Sequence, residues 1–256
     1  YDNLIQKKDG ILPLLTLIGT EYIHTQIPKP SNNIEFGLIQ HGYWYCFNDK
    51  SIKKYVFDWL AQMQGIYWEQ KWKQITNDFY GELPNKTIIN FNKAISILLP
   101  DISEIEWDHS SQDLIIKFKN NQFRLFEQLS DGYRYLILLS GELAVRSLLL
   151  NKHLGEEVNE KTQGVVLIDE FGIHLHPELQ QKALQRLQTA FPNVQFIITT
   201  HSPMLVNGLK KEQVHILEMD EETGKRTIRH PQRDGVGYGA EGILLELFGL
   251  DSTFDE

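Results

Sequence analysis

Two apolar runs with an amphipathic stretch between them stand out in the hydrophobic pattern of this chain. Residues 164–168 (Gly-Val-Val-Leu-Ile) and residues 194–198 (Val-Gln-Phe-Ile-Ile) each lead into polar side chains. Between them Pro177 opens a predicted helix of about 14 residues. Its apolar face comprises Leu179, Ala183, Leu184 and Leu187. An unbroken apolar run is typical of a strand covered on both faces, and this element order predicts an α/β fold with parallel core strands.

Other strands are predicted outside this unit. Residues 11–18 read as a buried strand that leads into Gly19-Thr20-Glu21. Residues 104–126 alternate between apolar and polar positions around Asn120-Asn121, a pair suited to a tight turn with positive φ. Residues 214–217 and 226–228 flank an acidic turn. We therefore expect two antiparallel hairpins beside the parallel core.

The remaining segments divide into helices and loops. Residues 51–98 read as mostly helical, and a long apolar-rich helix is predicted from Ser130 to about Asn151. Residues 26–50 and 152–163 are polar or proline-rich and predict loops. An apolar stretch at 243–250 predicts a tail helix that either packs on its own domain or docks a partner.

The 51–98 segment is rich in aromatic residues interleaved with Lys and Asp. The aromatic residues are Trp59, Trp68, Trp72, Phe79 and Tyr80. Such a mixture can stack on nucleic-acid bases, or it can form an aromatic core beneath a solvated face. The roughly helical spacing favours the core.

Composition narrows the function classes. The chain has 256 residues, of which 25 are Lys or Arg and 34 are Asp or Glu, giving a formal net charge of −9. This balance argues against a wholly basic nucleic-acid binder but allows a local basic groove. Cys46 is the single cysteine, which excludes an intrachain disulfide and a cysteine-rich zinc site and fits a reducing cytosol. We see no apolar run of about 18 residues and no signal peptide, and we expect a cytoplasmic protein without membrane attachment.

The candidate chemistry lies at the ends of the two apolar runs. Asp169 and Glu170 follow the first run, and His201 follows the second. One carboxylate at a strand end can hold Mg²⁺ beside phosphates, while its neighbour polarises an attacking water. A neutral imidazole can donate to a phosphate oxygen or to that water. Taken singly, the acids also fit a surface pair, and the histidine fits a structural role.

The start of the long helix is a third candidate. Ser130 can cap the first backbone N–H groups, and Gly132 allows close approach of a ligand. A helix N-terminus attracts anions. For an isolated Ser-Asp-Gly the alternative is an ordinary helix cap.

Together these segments resemble known motifs in their expected order. Residues 129–134 (Leu-Ser-Asp-Gly-Tyr-Arg) resemble the signature motif of ABC-type ATPases, and residues 165–170 resemble their Walker B strand. Residues 173–177 (Ile-His-Leu-His-Pro) resemble the D-loop of the branch with OLD-type nucleases and SMC-like ATPases. Residues 199–203 resemble the switch-histidine loop. The resemblance covers about residues 125–205.

This resemblance implies a P-loop NTPase fold of the ABC-ATPase type over residues 1–256, with a helical insertion at 51–98 and the motifs at 125–205. It implies ATP and Mg²⁺ as cofactors, with Asp169 at the metal and Glu170 and His201 as catalytic residues. The implied nucleotide-binding residues are Ser130, Asp131, Gly132, Arg134 and His176. In the family the signature motif acts across a subunit interface, so we expect a homo-oligomer of at least two subunits.

Looser similarities point to one group within this family. Residues 12–14 (Leu-Pro-Leu), 19–21 (Gly-Thr-Glu), 57–59 (Phe-Asp-Trp) and 238–244 resemble the PtuA-type ATPases of Septu anti-phage defence, which some retron systems share. The resemblance implies an ATPase subunit that controls an HNH-type nuclease, with DNA or RNA as a further candidate partner. Two alternatives stay open: a non-hydrolysing scaffold for nucleic acid or protein, and the ATPase part of an OLD-like nuclease. The acidic stretch 251–256 favours a true chain end over the second.

The sequence departs from the family at one motif. It contains no Gly-x-x-x-x-Gly-Lys-Ser/Thr, and Gly224-Lys225 is no substitute because Arg226 follows. We expect the phosphate-binding loop upstream of Leu12, in a segment absent from this sequence, and we expect this piece alone to be inactive. His174 and His176 also resemble half of a zinc site.

Overall fold

The computed structural model describes residues 10–20, 39–47, 52–76, 85–220 and 223–235, together with Gly242 and Leu245. Several expectations fall outside these residues. They concern Glu21, most of the 26–50 loop, Phe79, Tyr80, residues 238–241 and nearly all of the 243–250 tail helix.

The described residues contain both α-helices and β-strands, as an α/β fold requires. The strands are β1 (Leu14–Ile18), β2 (Ile102–Asp108), β3 (Asp113–Phe118), β4 (Phe123–Leu125), β5 (Gly164–Ile168), β6 (Val194–Ile198), β7 (Ile216–Met219) and β8 (Arg226–Arg229). The α-helices are α1 (Ile52–Ile75), α2 (Asn85–Leu98), α3 (Asp131–Leu150), α4 (Val158–Lys161), α5 (Pro177–Ala190) and α6 (Pro203–Val206). Short 3₁₀ helices cover Ile39–Tyr43, Phe126–Gln128, Lys152–Glu157 and Lys211–Gln213.

A three-stranded parallel sheet forms the centre, in the order β1-β5-β6. The strands pair without a register shift, so that Ile168 at the end of β5 lies beside Ile18 on one side and Ile198 on the other. Helix α5 connects β5 to β6, which confirms the predicted strand–helix–strand unit. Because all three strands end at the same level, the residues that follow them share one sheet edge.

Among the described residues, one face of this sheet is largely covered and the other is partly exposed. Leu14, Thr16 and Ile18 are buried on the face that packs against α3. On the other face Leu15 is 36% exposed and Ile197 is 51% exposed. The expectation of strands covered on both faces is therefore wrong for the described part of the chain.

Helix α3 forms the core of the molecule. All residues from 135 to 148 are buried, including the charged side chains within that range. A helix that is apolar on every side is typically surrounded by other elements, and here α1, α2 and the 39–47 segment pack around it. In the described part of the chain, no helix combines the length and apolarity that a membrane span requires.

Both predicted hairpins are confirmed. Strands β2, β3 and β4 form an antiparallel sheet, and Asn121 in the β3–β4 turn has φ 63°. The neighbouring Asn120 accepts a hydrogen bond from the Gln122 backbone N–H at 3.0 Å, which stabilises the turn. Strands β7 and β8 pair in antiparallel fashion around Gly224-Lys225.

The predicted loop at 152–163 is wrong, since this segment contains a 3₁₀ helix and α4. Val158 is fully buried, and side-chain amides provide the rest of the anchoring. Asn90 donates to the Gly155 carbonyl at 2.9 Å, and Asn159 donates to the Asn90 carbonyl at 2.9 Å. Polar residues therefore dock this segment on α2, although their composition resembles a loop.

The helical prediction for 51–98 is confirmed for the described residues, which form α1 and α2. Trp59 is buried, as an aromatic core requires. The same interpretation is wrong for Trp68 and Trp72, which are 57% and 67% exposed on the last turns of α1. Lys71 lies over the Trp68 ring, with its Nζ 4.8 Å from the centroid.

Candidate functional site

The two acids that follow β5 lie at the carboxyl edge of the parallel sheet. The Asp169 N–H donates to the Ile18 carbonyl at 2.8 Å, which extends the pairing with β1 by one residue. Asp169 is exposed and Glu170 is half-buried. An exposed carboxylate at this edge is accessible to a cation or a phosphate-bearing ligand.

Glu170 has a left-handed backbone conformation, with φ 50°. For a residue other than glycine this conformation costs roughly 1–2 kcal/mol. The Glu170 N–H donates to the Thr199 hydroxyl at 2.9 Å, and that hydroxyl donates to Asp169 Oδ1 at 2.5 Å. Thr199 therefore contacts both members of the acidic pair.

A second set of hydrogen bonds joins the loop after β5 to the loop after β6. The Phe171 N–H donates to the Thr199 carbonyl at 2.9 Å, and the Thr200 hydroxyl donates to the Phe171 carbonyl at 2.8 Å. His201 follows directly and is exposed. Glu170 and His201 therefore belong to adjacent, hydrogen-bonded loops.

Gln180 of α5 connects the same two loops. Its Nε2 donates to the carbonyls of Gly172 at 2.7 Å and Leu175 at 3.0 Å. Its Oε1 accepts from the Ser202 hydroxyl at 2.6 Å. One amide side chain thus holds residues 171–176, the loop that resembles a D-loop, against the loop that carries His201.

The start of α3 packs against the 171–176 loop. A Cβ added to Gly132 would lie 2.9 Å from the His174 carbonyl oxygen, so this close approach requires glycine. Ser130 is the N-cap residue and is exposed, but its side chain makes no capping hydrogen bond, so the expected side-chain cap is wrong. The exposed hydroxyl remains accessible to a ligand.

Arg134 lies between two acids of its own chain. Its Nη2 is 2.7 Å from Asp131 Oδ1, and its Nη1 is 3.0 Å from Glu127 Oε2. Glu127 also pairs with Lys53 at 2.5 Å. In this structure Arg134 and Asp131 stabilise the helix start, and nucleotide binding by them stays a prediction.

His176 is the N-cap residue of α5, and its carbonyl accepts from the backbone N–H groups of Leu179 and Gln180.

His176 also lines an open groove of about 400 Å³. The other lining residues are Pro100, Asp101, Tyr133, Glu178, Leu179 and Arg186. Within the groove the Tyr133 hydroxyl donates to Asp101 Oδ2 at 2.6 Å. Burial and this nearby carboxylate raise the pKa of Tyr133 to about 12.

The donors at the sheet edge fit Mg²⁺ better than zinc. Asp169 offers hard carboxylate oxygens, and magnesium typically takes one or two carboxylates and completes its shell with water and phosphate oxygens. Bound there, the ion would polarise phosphate oxygens. His174 and His176 gain no support as a zinc site, because the described residues contain no cluster of three or more His, Cys, Asp and Glu side chains.

A family model described as an AAA ATPase domain matches residues 46–206. The chain belongs to this ATPase domain family. It is 35% identical over 176 residues to the Septu protein PtuA of Bacillus mycoides, covering 68% of this chain and 24% of that protein. It is 34% identical over 146 residues to the retron Ec83 probable ATPase of Escherichia coli, covering 57% and 26% respectively.

The chain spans about a quarter of the length of these two relatives. Among solved structures it is similar to the SMC head domain from Thermotoga maritima, with a TM-score of 0.41 and 17% identity over 67% of this chain and 51% of that one. It is also similar to an Smc head domain from Pyrococcus furiosus, with a TM-score of 0.46 and 15% identity over 84% and 61%. The family match over residues 46–206 and the identity to PtuA confirm the ATPase family that the sequence motifs resemble.

Sequence reasoning missed two side chains that organise this site. Thr199 was part of a recognised motif, but its contact with Asp169 depends on the pairing of strands about 30 residues apart. Gln180 lies inside an amphipathic helix, where a glutamine at a partly buried position gives no signal of its own. The Thr199 contact follows from the parallel register of β5 and β6, whereas the Gln180 contacts depend on how α5 packs against the loops that follow these strands.

Proposed function

We propose that this chain is the core of an ATPase subunit in an anti-phage defence complex, and that it hydrolyses ATP between two subunits. The relatives named above support the biological setting, since they are Septu and retron proteins. The supporting observation in the structure is the acidic pair at the sheet edge, contacted by Thr199, with the motif that resembles the signature sequence nearby.

The proposed roles follow the chemistry of each side chain. Asp169 holds Mg²⁺ beside the phosphates, and Glu170 orients and polarises the attacking water. His201 donates to a terminal phosphate oxygen as a neutral imidazole. The exposed Ser130 at the start of α3 supports contact with a nucleotide held by a second subunit, because a helix N-terminus stabilises negative charge.

The 256 residues contain no phosphate-binding loop motif. We propose that another segment of the longer protein supplies it, in keeping with the fraction of the relatives that the chain spans. An HNH-type nuclease is the proposed partner, and ATP turnover is proposed to control it. Contact with DNA or RNA would then belong to the assembled complex.

The test uses the full-length protein and its Glu170→Gln variant. Loss of the general base should lower the ATP turnover rate by roughly 10²–10⁴-fold while ATP binding stays near the wild-type level. Light scattering should show a dimer that ATP stabilises in the variant. Glu212→Gln, at an exposed acid on a 3₁₀ helix, is the matched control. Unchanged turnover in Glu170→Gln would refute the proposed role.

A further inference from the structure

We propose that Thr199 is a positioning residue that sets the geometry of the acidic pair, an inference that rests on the proposed function. Thr199 is the first residue after β6. Its hydroxyl has one proton and can accept further hydrogen bonds. The proton goes to Asp169 Oδ1 at 2.5 Å, and the oxygen accepts the Glu170 N–H at 2.9 Å. One atom therefore contacts both acids.

The Thr199 hydroxyl accepts a backbone N–H that lies between two hydrogen bonds of the parallel ladder. The Thr199 N–H donates to the Ile168 carbonyl, and the Phe171 N–H donates to the Thr199 carbonyl, so the parallel ladder continues past both strand ends. The Glu170 N–H lies between these two rungs and is taken by the Thr199 side chain. This bond stabilises the left-handed backbone of Glu170, and that backbone sets the direction in which its side chain leaves the sheet edge.

The same hydroxyl fixes the carboxylate of Asp169. A hydrogen bond from a hydroxyl to an ionised carboxylate is stronger than one between neutral groups, so one oxygen of Asp169 is held in place. The other oxygen remains for a cation. Partners that hold a metal ligand in this way typically contribute 10–100-fold to metal affinity.

Two other threonines have hydroxyl groups that bond elsewhere and can be compared with Thr199. The Thr200 hydroxyl bonds the Phe171 carbonyl and the Ser202 N–H, so it supports the loop and makes no contact with the acids. The Thr189 hydroxyl bonds the Gln185 carbonyl on the exposed side of α5. Substitution at Thr189 therefore removes a threonine hydroxyl without touching the site.

The experiment compares Thr199→Val, Thr199→Ser and Thr189→Val in the full-length protein. Valine keeps the shape of threonine and its β-branching, so the fold should be retained, whereas serine keeps the hydroxyl. The first measurement is hydrogen exchange of the Glu170 amide without nucleotide. Loss of its acceptor should make exchange about tenfold faster in Thr199→Val. Thr199→Ser and Thr189→Val should exchange at the wild-type rate.

The second measurement is the magnesium dependence of ATP turnover. Thr199→Val should raise the magnesium concentration for half-maximal rate by about tenfold or more, with ATP binding in chelator unchanged. Thr199→Ser should restore the wild-type requirement. An unchanged exchange rate in Thr199→Val would overturn the inference, as would an unchanged magnesium requirement. A wild-type protein without ATP turnover would refute the proposed function instead, and the exchange comparison would still decide whether Thr199 positions Glu170.

Discussion

The Nε of Arg146 lies 2.7 Å from Oε1 of Glu142 in the middle of α3, and neither side chain is exposed. The Arg146 Nη1 also donates to the carbonyls of Gly42 and Trp44 at 2.8 and 2.9 Å. Thr16 of β1 donates to the same Glu142 oxygen at 2.8 Å. Although burial opposes the charged form, the Glu142 carboxylate raises the pKa of Arg146 above its usual value. This buried pair joins α3, β1 and the 39–47 segment.

Arg146→Met should be strongly destabilising, because it leaves the Glu142 carboxylate buried without its partner. We expect the free energy of unfolding to fall by about 3–5 kcal/mol, measured by urea denaturation. The control is Lys161→Met, which removes an exposed pair with Glu157 and should change stability by about 1 kcal/mol or less.

Replacing both members of the buried pair separates the two contributions. Glu142→Leu combined with Arg146→Met removes both charges at once, so the loss should be smaller than the sum of the two single losses. Additive losses would show that the two charges do not interact.

Gly132→Ala should be destabilising because its Cβ would lie 2.9 Å from the His174 carbonyl oxygen. The backbone of the 171–176 loop must then move, at a cost of about 1–3 kcal/mol in the free energy of unfolding. Gly65→Ala in α1 is the matched control, since a Cβ there meets no atom within 4 Å. Alanine should stabilise that helix by up to about 1 kcal/mol. Opposite signs for the two variants in thermal denaturation would support the contact, and equal signs would contradict it.

Features with a local cause could be predicted from the sequence. The apolar runs predicted β5 and β6, and Asn120-Asn121 predicted the β3–β4 turn. These predictions succeed because hydrophobic periodicity and turn preferences depend on only a few neighbouring residues. The burial of the Glu142–Arg146 ion pair could not be predicted, since charged residues four apart on a helix usually lie on its solvated face. The contact between Thr199 and Asp169 needs the register of two strands joined by a helix. Long-range geometry of this kind appears only once the strands are paired.

Gln180→Leu should loosen both loops beside the acidic pair. It removes two donations to the Gly172 and Leu175 carbonyls and the acceptor for the Ser202 hydroxyl. The Gly172 carbonyl keeps the Leu175 N–H, whereas the Leu175 carbonyl and the Ser202 hydroxyl lose the partner that Gln180 provides. We expect a loss of about 1–3 kcal/mol in the free energy of unfolding. Gln180→Glu should cost more, because a carboxylate would face the two carbonyl oxygens.

The neighbouring Gln181 is exposed on the same helix and offers a control for both changes. Gln181→Leu and Gln181→Glu should each alter stability by less than about 0.5 kcal/mol. Equal losses of stability at positions 180 and 181 would assign the loss to helix composition and not to the hydrogen bonds of Gln180 with the two loops.

Tyr133 gives a prediction for alkaline pH. Burial and the Asp101 carboxylate raise its pKa to about 12, against an ordinary value of 10.0. Between these two values the unfolded chain loses the phenolic proton while the folded protein keeps it. The stabilisation is therefore fully present below about pH 10 and is lost as the pH rises toward 12. The unfolding free energy of the wild type should fall more steeply over this range than that of Tyr133→Phe.

Asp101→Asn should lower the Tyr133 pKa, measured by phenolate absorbance against the Tyr133→Phe variant. Parallel stability curves for wild type and Tyr133→Phe above pH 10 would contradict the raised pKa of Tyr133, and an unchanged pKa in Asp101→Asn would contradict the contribution of Asp101.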